Sequence, residues 1–325
     1  MKDSILHYRK HFLDHLGRKT WPESPRDLYE PIQYIMDLGG KRIRPALVLL
    51  SADLYGAGPE KALPAAMAVE TFHNFTLLHD DIMDDAPLRR GKTTVHEQWD
   101  TNTAILSGDA MLIEAYRELE AYPPESFKPL MQLFSLTALE VCEGQRYDMD
   151  FETRQQVTVE EYLKMIRLKT AVLLGCALKM GALVGGAPRG DQEALYEFGI
   201  RLGLAFQLQD DYLDVFGDPE TFGKQVGGDI IENKKTYLYL RALQLASPEE
   251  ARELSDLYSI KPADPGQKVD RVRQIFRACG VDTESGEKIR EYTEDAFALL
   301  QTLQVPDSGK SELRGFGEWL LRREA

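Results

Sequence analysis

Along the 325-residue chain, apolar residues recur at helical rather than strand spacing. Phe134, Leu136, Leu139 and Val141 make one such run, and Leu163, Ile166 and Val172 make another. Prolines act as punctuation: none lies between Pro129 and Pro188, between Pro188 and Pro219, or between Pro219 and Pro248. Pro123-Pro124, and Gly185-Gly186 followed by Pro188, mark turns between helices. Alternating runs bounded by hairpin signals are not evident. The pattern therefore predicts an all-α chain. No low-complexity linker divides it, so residues 1–325 are expected to form a single domain. From about Ser247 onward the chain is more polar, which predicts smaller helices packed on the outside.

Two segments set acidic residues inside this apolar pattern. Leu77 to Asp85 reads LLHDDIMDD, and Leu208 to Val215 reads LQDDYLDV. On a helix, residues four apart share a face, so Asp80 and Asp84 point one way together, as do Asp210 and Asp214. Like charges at that spacing repel, and an apolar neighbourhood worsens the repulsion. A solvated acidic face would not be hemmed by Phe75, Leu77, Leu78 and Ile82, or by Phe206, Leu208, Tyr212, Leu213 and Val215. Something cationic should offset the cost. Hard carboxylate oxygens without Cys or His support select Mg²⁺ over zinc, and Mg²⁺ prefers to be shared between carboxylates and substrate phosphates. Two such clusters, if they face each other, predict a diphosphate clamped between metal ions.

Charge narrows the class of partner. The net charge is −14, which disfavours nucleic acid and anionic membranes. A phosphate-bearing ligand must then be held by metal or by local basic clusters. Three such clusters exist: Gly39-Gly40-Lys41-Arg42-Ile43-Arg44-Pro45, Arg89-Arg90-Gly91-Lys92 a few residues after the first Asp group, and Gly223-Lys224 with Lys234-Lys235 after the second. Glycines allow close backbone approach, and the cations pair with phosphate oxygens. Pro45 suits the start of a helix. A basic loop by itself is more often ordinary surface; here each Asp group has cations close behind it. Cys142, Cys176 and Cys279 are odd in number and fit no zinc spacing, so they read as reduced thiols of a cytoplasmic protein. Met1 to Arg18 is charged and lacks the apolar core of a signal peptide. The nearest approach to a membrane span, Thr170 to Gly185, is short and broken by Lys179, so no stable membrane insertion is expected.

Taken together, GGKRIRP at 39–45, LLHDDIMDDAPLRRGKTTVH at 77–96 and FQLQDDYLDVFGD at 206–218 resemble the signatures of the trans-isoprenyl diphosphate synthases, in the same order and separation. Gly144-Gln145-Arg146-Tyr147-Asp148, Lys169-Thr170 and the stretch GKQVGGDIIENKKTY also resemble that family, and the likeness runs from about residue 30 to about 240. The resemblance implies a single all-α helical bundle around a central cavity, usually a homodimer. It implies that Asp80, Asp81, Asp84, Asp210, Asp211 and Asp214 bind about three Mg²⁺ ions around an allylic diphosphate. By position, Arg89, Lys169, Lys224 and Lys234 would contact that diphosphate. Gly40, Lys41, Arg44, His73 and Arg90 would hold isopentenyl diphosphate. Thr170 and Gln207 would sit beside the developing carbocation. From the residues alone, His73 is a core histidine of an apolar helix, and Thr170 and Gln207 are core polar residues. Asp148 and Gln145 fit either metal support or packing.

The implied activity is head-to-tail condensation of isopentenyl diphosphate with dimethylallyl, geranyl or farnesyl diphosphate. Phe75 lies five residues before Asp80, about one and a half helical turns away, where a bulky ring would floor the cavity beside the small Thr76. The aromatic floor and the uninserted first box resemble short-chain synthases, geranylgeranyl type ahead of farnesyl type. A terpene cyclase also uses DDxxD, but normally replaces the second box with an Asn/Ser/Glu-type motif, whereas Asp210, Asp211 and Asp214 are all acidic. An accessory subunit of a heteromeric synthase tends to lose a box or the basic loop, and this chain keeps both. Gly228 stands where some members carry a second Lys, and Asp85 extends the first box without a clear role.

Overall fold

The structure is a computed structural model that describes residues 2–217 and 227–322. Among them the chain is all-α, as the apolar spacing predicts; the exception is a two-strand ribbon, β1 (Leu88–Arg89) paired antiparallel with β2 (Lys92–Thr93). Two-residue strands are too short to leave an alternating pattern. The chain groups into two compact units, the first of residues 1–138, 176–195 and 304–312, the second of residues 139–175, 196–303 and 313–325.

The first unit is organised by α4 (Pro59–Met83), flanked by α3 (Ile43–Asp53) and α6 (Thr101–Glu118). Pro59 opens α4 at a first-turn position, where its missing N–H costs nothing. Ala62, Ala65, Ala66, Met67, Ala68, Val69 and Phe72 are all fully buried; residues 62–69 are apolar on every side of α4, which carries the first Asp group at its far end. Asp100 caps α6 by accepting from the Thr103 backbone N–H at 2.9 Å. Helices α1 (Lys2–Leu16) and α2 (Arg26–Asp37) pack on α3 and α6 respectively. Within the apolar run on α7 (Pro124–Thr153), Leu136 is exposed whereas Phe134 is fully buried.

In the second unit, α8 (Val159–Ile166) opens on a Thr158/Glu161 capping box. It runs through a π-helical turn, Arg167–Ala171, into α9 (Val172–Gly185), whose residues from Cys176 on belong to the first unit. This continuous stretch, Val159–Gly185, corrects the sequence-based length: by composition and length its 27 residues suffice to cross a membrane, and 67% of its most apolar window is buried within the protein. Helix α10 (Arg189–Phe216) carries the second Asp group, followed by α11 (Gly228–Glu232) and α12 (Tyr237–Leu245). The polar tail forms α13 (Pro248–Leu257), α14 (Gly266–Ala278), α15 (Val281–Leu300) and α16 (Asp307–Arg322). These are not small outer helices. Val272, Ile275 and Phe276 are fully buried, so α14 supplies core, and its charged residues reflect a narrow apolar stripe rather than a peripheral place.

Candidate active site

In the first unit, the basic loop, α4 and the ribbon converge. Gly39, Gly40 and Arg42 all have positive φ (82°, 120° and 48°), and this turn delivers Arg44 to the first turn of α3. Gly40 suits this turn because its φ disfavours any side chain; a Cβ there would meet the Arg90 guanidinium carbon at 2.8 Å, the far end of a flexible side chain that can shift. Arg90 in turn donates to the Gly39 carbonyl. Arg44 Nη1 lies 3.2 Å from His73 Nε2. Gly40, Arg44, His73 and Arg90 are thus brought together, with Lys41 exposed in the same loop. Burial, and then the guanidiniums of Arg44, Arg90, Arg42 and Arg89, hold the His73 pKa well below the ordinary 6.5, so the ring is neutral. Arg42 plays a different part. Its buried guanidinium is tied to Glu70 and the Met36 carbonyl, and Glu70 Oε1 also accepts from Asn74 at 3.2 Å.

The first Asp group sits at the C-terminal end of α4. Asp81 is 2% exposed and accepts Arg89 Nε at 2.7 and 2.8 Å on its two oxygens, with Nη2 at 2.6 Å. Asp84 is exposed and forms the C-cap. Phe75, on the same helix, is buried with its ring 4.7 Å from that of His79 and 5.5 Å from that of Phe72. Thr76 is half-buried and donates to the His73 carbonyl at 2.8 Å.

In the second unit, the second Asp group stands in a crowd of carboxylates. Asp211 is 4% exposed, accepts from the Tyr162 hydroxyl, and accepts from Gln207 Nε2 at 3.2 Å. Gln207 Oε1 accepts from Thr170 at 3.3 Å, so this amide links Thr170 to Asp211. Asp214 accepts the Asp229 backbone N–H at 3.0 Å. Burial, and next the charge of Asp229, push the Asp211 pKa well above the carboxylate range. Burial and then Asp214 push Asp229 up to about 7, against the pull of Lys234. Lys169 pairs with Asp148 at 2.6 Å, and Lys234 pairs with Glu232 at 2.9 Å. Arg89, Lys169 and Lys234 thus all rest on carboxylates. Lys224 lies outside the described residues. Tyr162 and Asp229 were not singled out from sequence; nothing local marks Tyr162, 49 positions from its partner, while Asp229 could have been noticed in its Gly-Gly-Asp setting.

Lys169 and Thr170 lie in the π turn, which closes with an i to i+5 hydrogen bond from Val172 N–H to the Arg167 carbonyl. Gly144 of α7 permits it: a Cβ there would fall 2.3 Å from the Lys169 nitrogen.

A divalent cation suits this donor set. The aspartates offer hard oxygens only, and the raised pKa values of Asp211 and Asp229 record crowded negative charge that a bound cation would relieve. A testable consequence follows from the sign. Asp229 has a folded pKa above its unfolded 3.8, so the metal-free fold loses stability as pH rises from about 4 to about 7. Thermal melts in a chelator should show Tm falling across that window, and Mg²⁺ should recover more of it at the alkaline end. A Tm unmoved by Mg²⁺ throughout would contradict the assignment.

The polyprenyl synthetase family profile matches residues 25–278. A geranylgeranyl diphosphate synthase of Methanosarcina mazei is 46% identical over 222 residues, covering 68% of each chain. A geranylfarnesyl diphosphate synthase of Natronomonas pharaonis is 39% identical over 281 residues, covering 81% of each. A crystal structure of a geranylgeranyl pyrophosphate synthase superposes with a TM-score of 0.94 at 51% identity, covering 99% of each chain.

Proposed function

Since the chain belongs to the polyprenyl synthetase family, we propose that it condenses isopentenyl diphosphate head-to-tail with an allylic diphosphate, ending at geranylgeranyl diphosphate. The observation that carries this reading is the pairing, on one chain, of two intact Asp groups with the Arg44–His73–Arg90 cluster. A cyclase has no need of the second diphosphate site, and an accessory subunit has no need of either Asp group.

Asp80, Asp81, Asp84, Asp210, Asp211 and Asp214 serve as ligands for Mg²⁺, about three ions by family resemblance. Bound Mg²⁺ supplies positive charge to the departing diphosphate oxygens. Arg89, Lys169 and Lys234 bind the same diphosphate by leaving Asp81, Asp148 and Glu232, and Lys224 joins them. This exchange keeps unlike charges paired before and after substrate arrives. Gly40, Lys41, Arg44, His73 and Arg90 hold isopentenyl diphosphate, the cations among them pairing with its phosphate oxygens. A neutral His73 donates one N–H without adding to the charge there. Thr170 and Gln207 present oxygen dipoles to the developing allylic cation. Their mutual hydrogen bond and the Gln207–Asp211 bond fix the direction of those dipoles. The proton lost after coupling goes to the departing diphosphate, and no side-chain base is assigned. The protein works in the cytoplasm as a homodimer, for which the exposed Ile105, Leu106 and Ile113 of α6 offer an apolar face.

Phe75 sets product length. Its ring, wedged against Phe72 and His79, has little freedom to swing aside. The test is elongation with labelled isopentenyl diphosphate and each of dimethylallyl, geranyl and farnesyl diphosphates, followed by sizing of products. The wild type should stop at geranylgeranyl diphosphate. Phe75→Ala should add at least one further isoprene unit, the product that names the Natronomonas relative. Unchanged product length in the variant would remove Phe75 from the role, while a wild-type stop at farnesyl diphosphate would reassign the chain to that shorter class.

A further inference from the structure

Asp85 and His96 have no part in the reaction above, yet the fold brings them together. Asp85 follows the C-cap of α4 in the left-handed region, with φ 50°. His96 lies in the short helix α5 that follows the ribbon, residues Val95–Gln98. Its side chain is only 6% exposed, and both ring nitrogens are buried without a hydrogen-bond partner. A neutral imidazole carries one donor and one acceptor, and leaving both unsatisfied is costly. Glu97 places a carboxylate oxygen 3.8 Å from His96 Nε2. Asp85, His96 and Glu97 each offer one ligand atom, all within 4.8 Å of one another. Ligands of one tetrahedral ion, each bonded at about 2.1 Å, stand about 3.4 Å apart. Closing that gap calls for rotation of the two exposed carboxylates toward the imidazole.

We propose that Asp85, His96 and Glu97 bind a second kind of metal, a borderline transition-metal dication of the Zn²⁺ class. One imidazole nitrogen with two carboxylate oxygens favours Zn²⁺ over Mg²⁺, whereas the all-oxygen Asp groups favour Mg²⁺. The site is a staple rather than a catalytic centre. Residues 85 and 96 bracket the β1–β2 ribbon, which presents Arg89 to Asp81 and Arg90 to the Gly39 carbonyl. The ribbon is also fastened by Thr94 Oγ1 donating to the Ala86 carbonyl at 2.7 Å, by the Thr94 N–H donating to the Pro87 carbonyl at 3.2 Å and by Tyr34 donating to the Thr93 carbonyl at 2.7 Å. A metal bond across its base would add a further fastening, at the end where α4 stops.

Calorimetric titration of Zn²⁺ into the full chain, in excess Mg²⁺ to occupy the Asp groups, tests this. The expected result is one Zn²⁺ per chain. Affinity should fall at least tenfold in Asp85→Asn and in Glu97→Gln, and binding should vanish in His96→Ala. Asp85→Asn keeps a residue tolerant of the left-handed region, and Glu97 is exposed, so both variants should fold even if His96→Ala does not. Failure of the wild type to bind Zn²⁺ in excess Mg²⁺, or equal affinity in the wild type, Asp85→Asn and Glu97→Gln, would overturn the site. Neither result touches the prenyl-transfer reading, which does not use these residues.

Discussion

Replacing Asp80 or Asp210 by alanine is expected to lower the rate of isopentenyl incorporation by about a thousandfold or more without unfolding the protein. The loss follows from the charge that builds on a departing diphosphate. Each tenfold in rate corresponds to about 1.4 kcal/mol, and removing a ligand that positions several units of positive charge costs several such steps. The fold should survive because these aspartates oppose it. Asp80 and Asp84, and Asp210 and Asp214, stand four apart as like charges on a helix, and Asp210 lies beside the crowded Asp211. Removing one carboxylate relieves repulsion, so the metal-free Tm should hold or rise while activity collapses, the usual trade between a strained site and a stable chain. Steady-state rates and thermal melts on the same preparations check both halves. A variant that keeps near-normal turnover would sink the metal-ligand role of that Asp group.

The second large effect is expected at Gly144, which touches no substrate. A side chain there cannot be absorbed by a flexible neighbour, since the atoms it meets are the Lys169 nitrogen at 2.3 Å and the Leu168 carbonyl carbon at 2.7 Å. Either α7 retreats or the π turn shifts, and the π turn, a single-turn departure from the α ladder, is the element expected to yield. Lys169 would then lose its 2.6 Å pairing with Asp148, and Thr170 its contact with Gln207. Displacement of about 1 Å in positioning groups costs on the order of a hundredfold in rate. Gly144→Val should therefore lower kcat by about that factor, with a fold weakened by about 1–3 kcal/mol from overpacking. Gly144→Ala should fall between the two. If Gly144→Val retains wild-type kcat, the π turn does not need this close approach.

The helical class and the two Asp groups were legible because each is written in local spacing. Four-residue repeats and proline punctuation need no tertiary information to be read. The glycine turn was legible in part: Gly39-Gly40 marked a close backbone approach, but not the positive φ of both glycines nor the Arg90 guanidinium lying against Gly40. Within the same basic loop, family resemblance singled out Arg44 and not Arg42, and the packing of Arg42 against Glu70 gives that choice a physical reason. The π turn was not legible, since an extra residue in a helix leaves the apolar pattern almost unchanged and is fixed by Gly144 from a distant helix. Tyr162 and Asp229 were missed for the same reason: their meaning lies in contact with Asp211 and Asp214, not in their own neighbours. The spacing of Leu136 and Leu139 gave the helix but not the burial, because apolar spacing reports an amphipathic face without saying what covers it, and both are exposed. The tail was misjudged in the opposite direction, with Ile275 and Phe276 buried in a helix whose average character is polar.

The most direct test of the central claim is incorporation of labelled isopentenyl diphosphate by the purified chain alone, with farnesyl diphosphate as primer, in Mg²⁺ and in chelator. Prenyl elongation predicts Mg²⁺-dependent label in a single geranylgeranyl product and none in chelator. Consumption of the allylic diphosphate with no label incorporated, or no reaction with any primer in Mg²⁺, would contradict it.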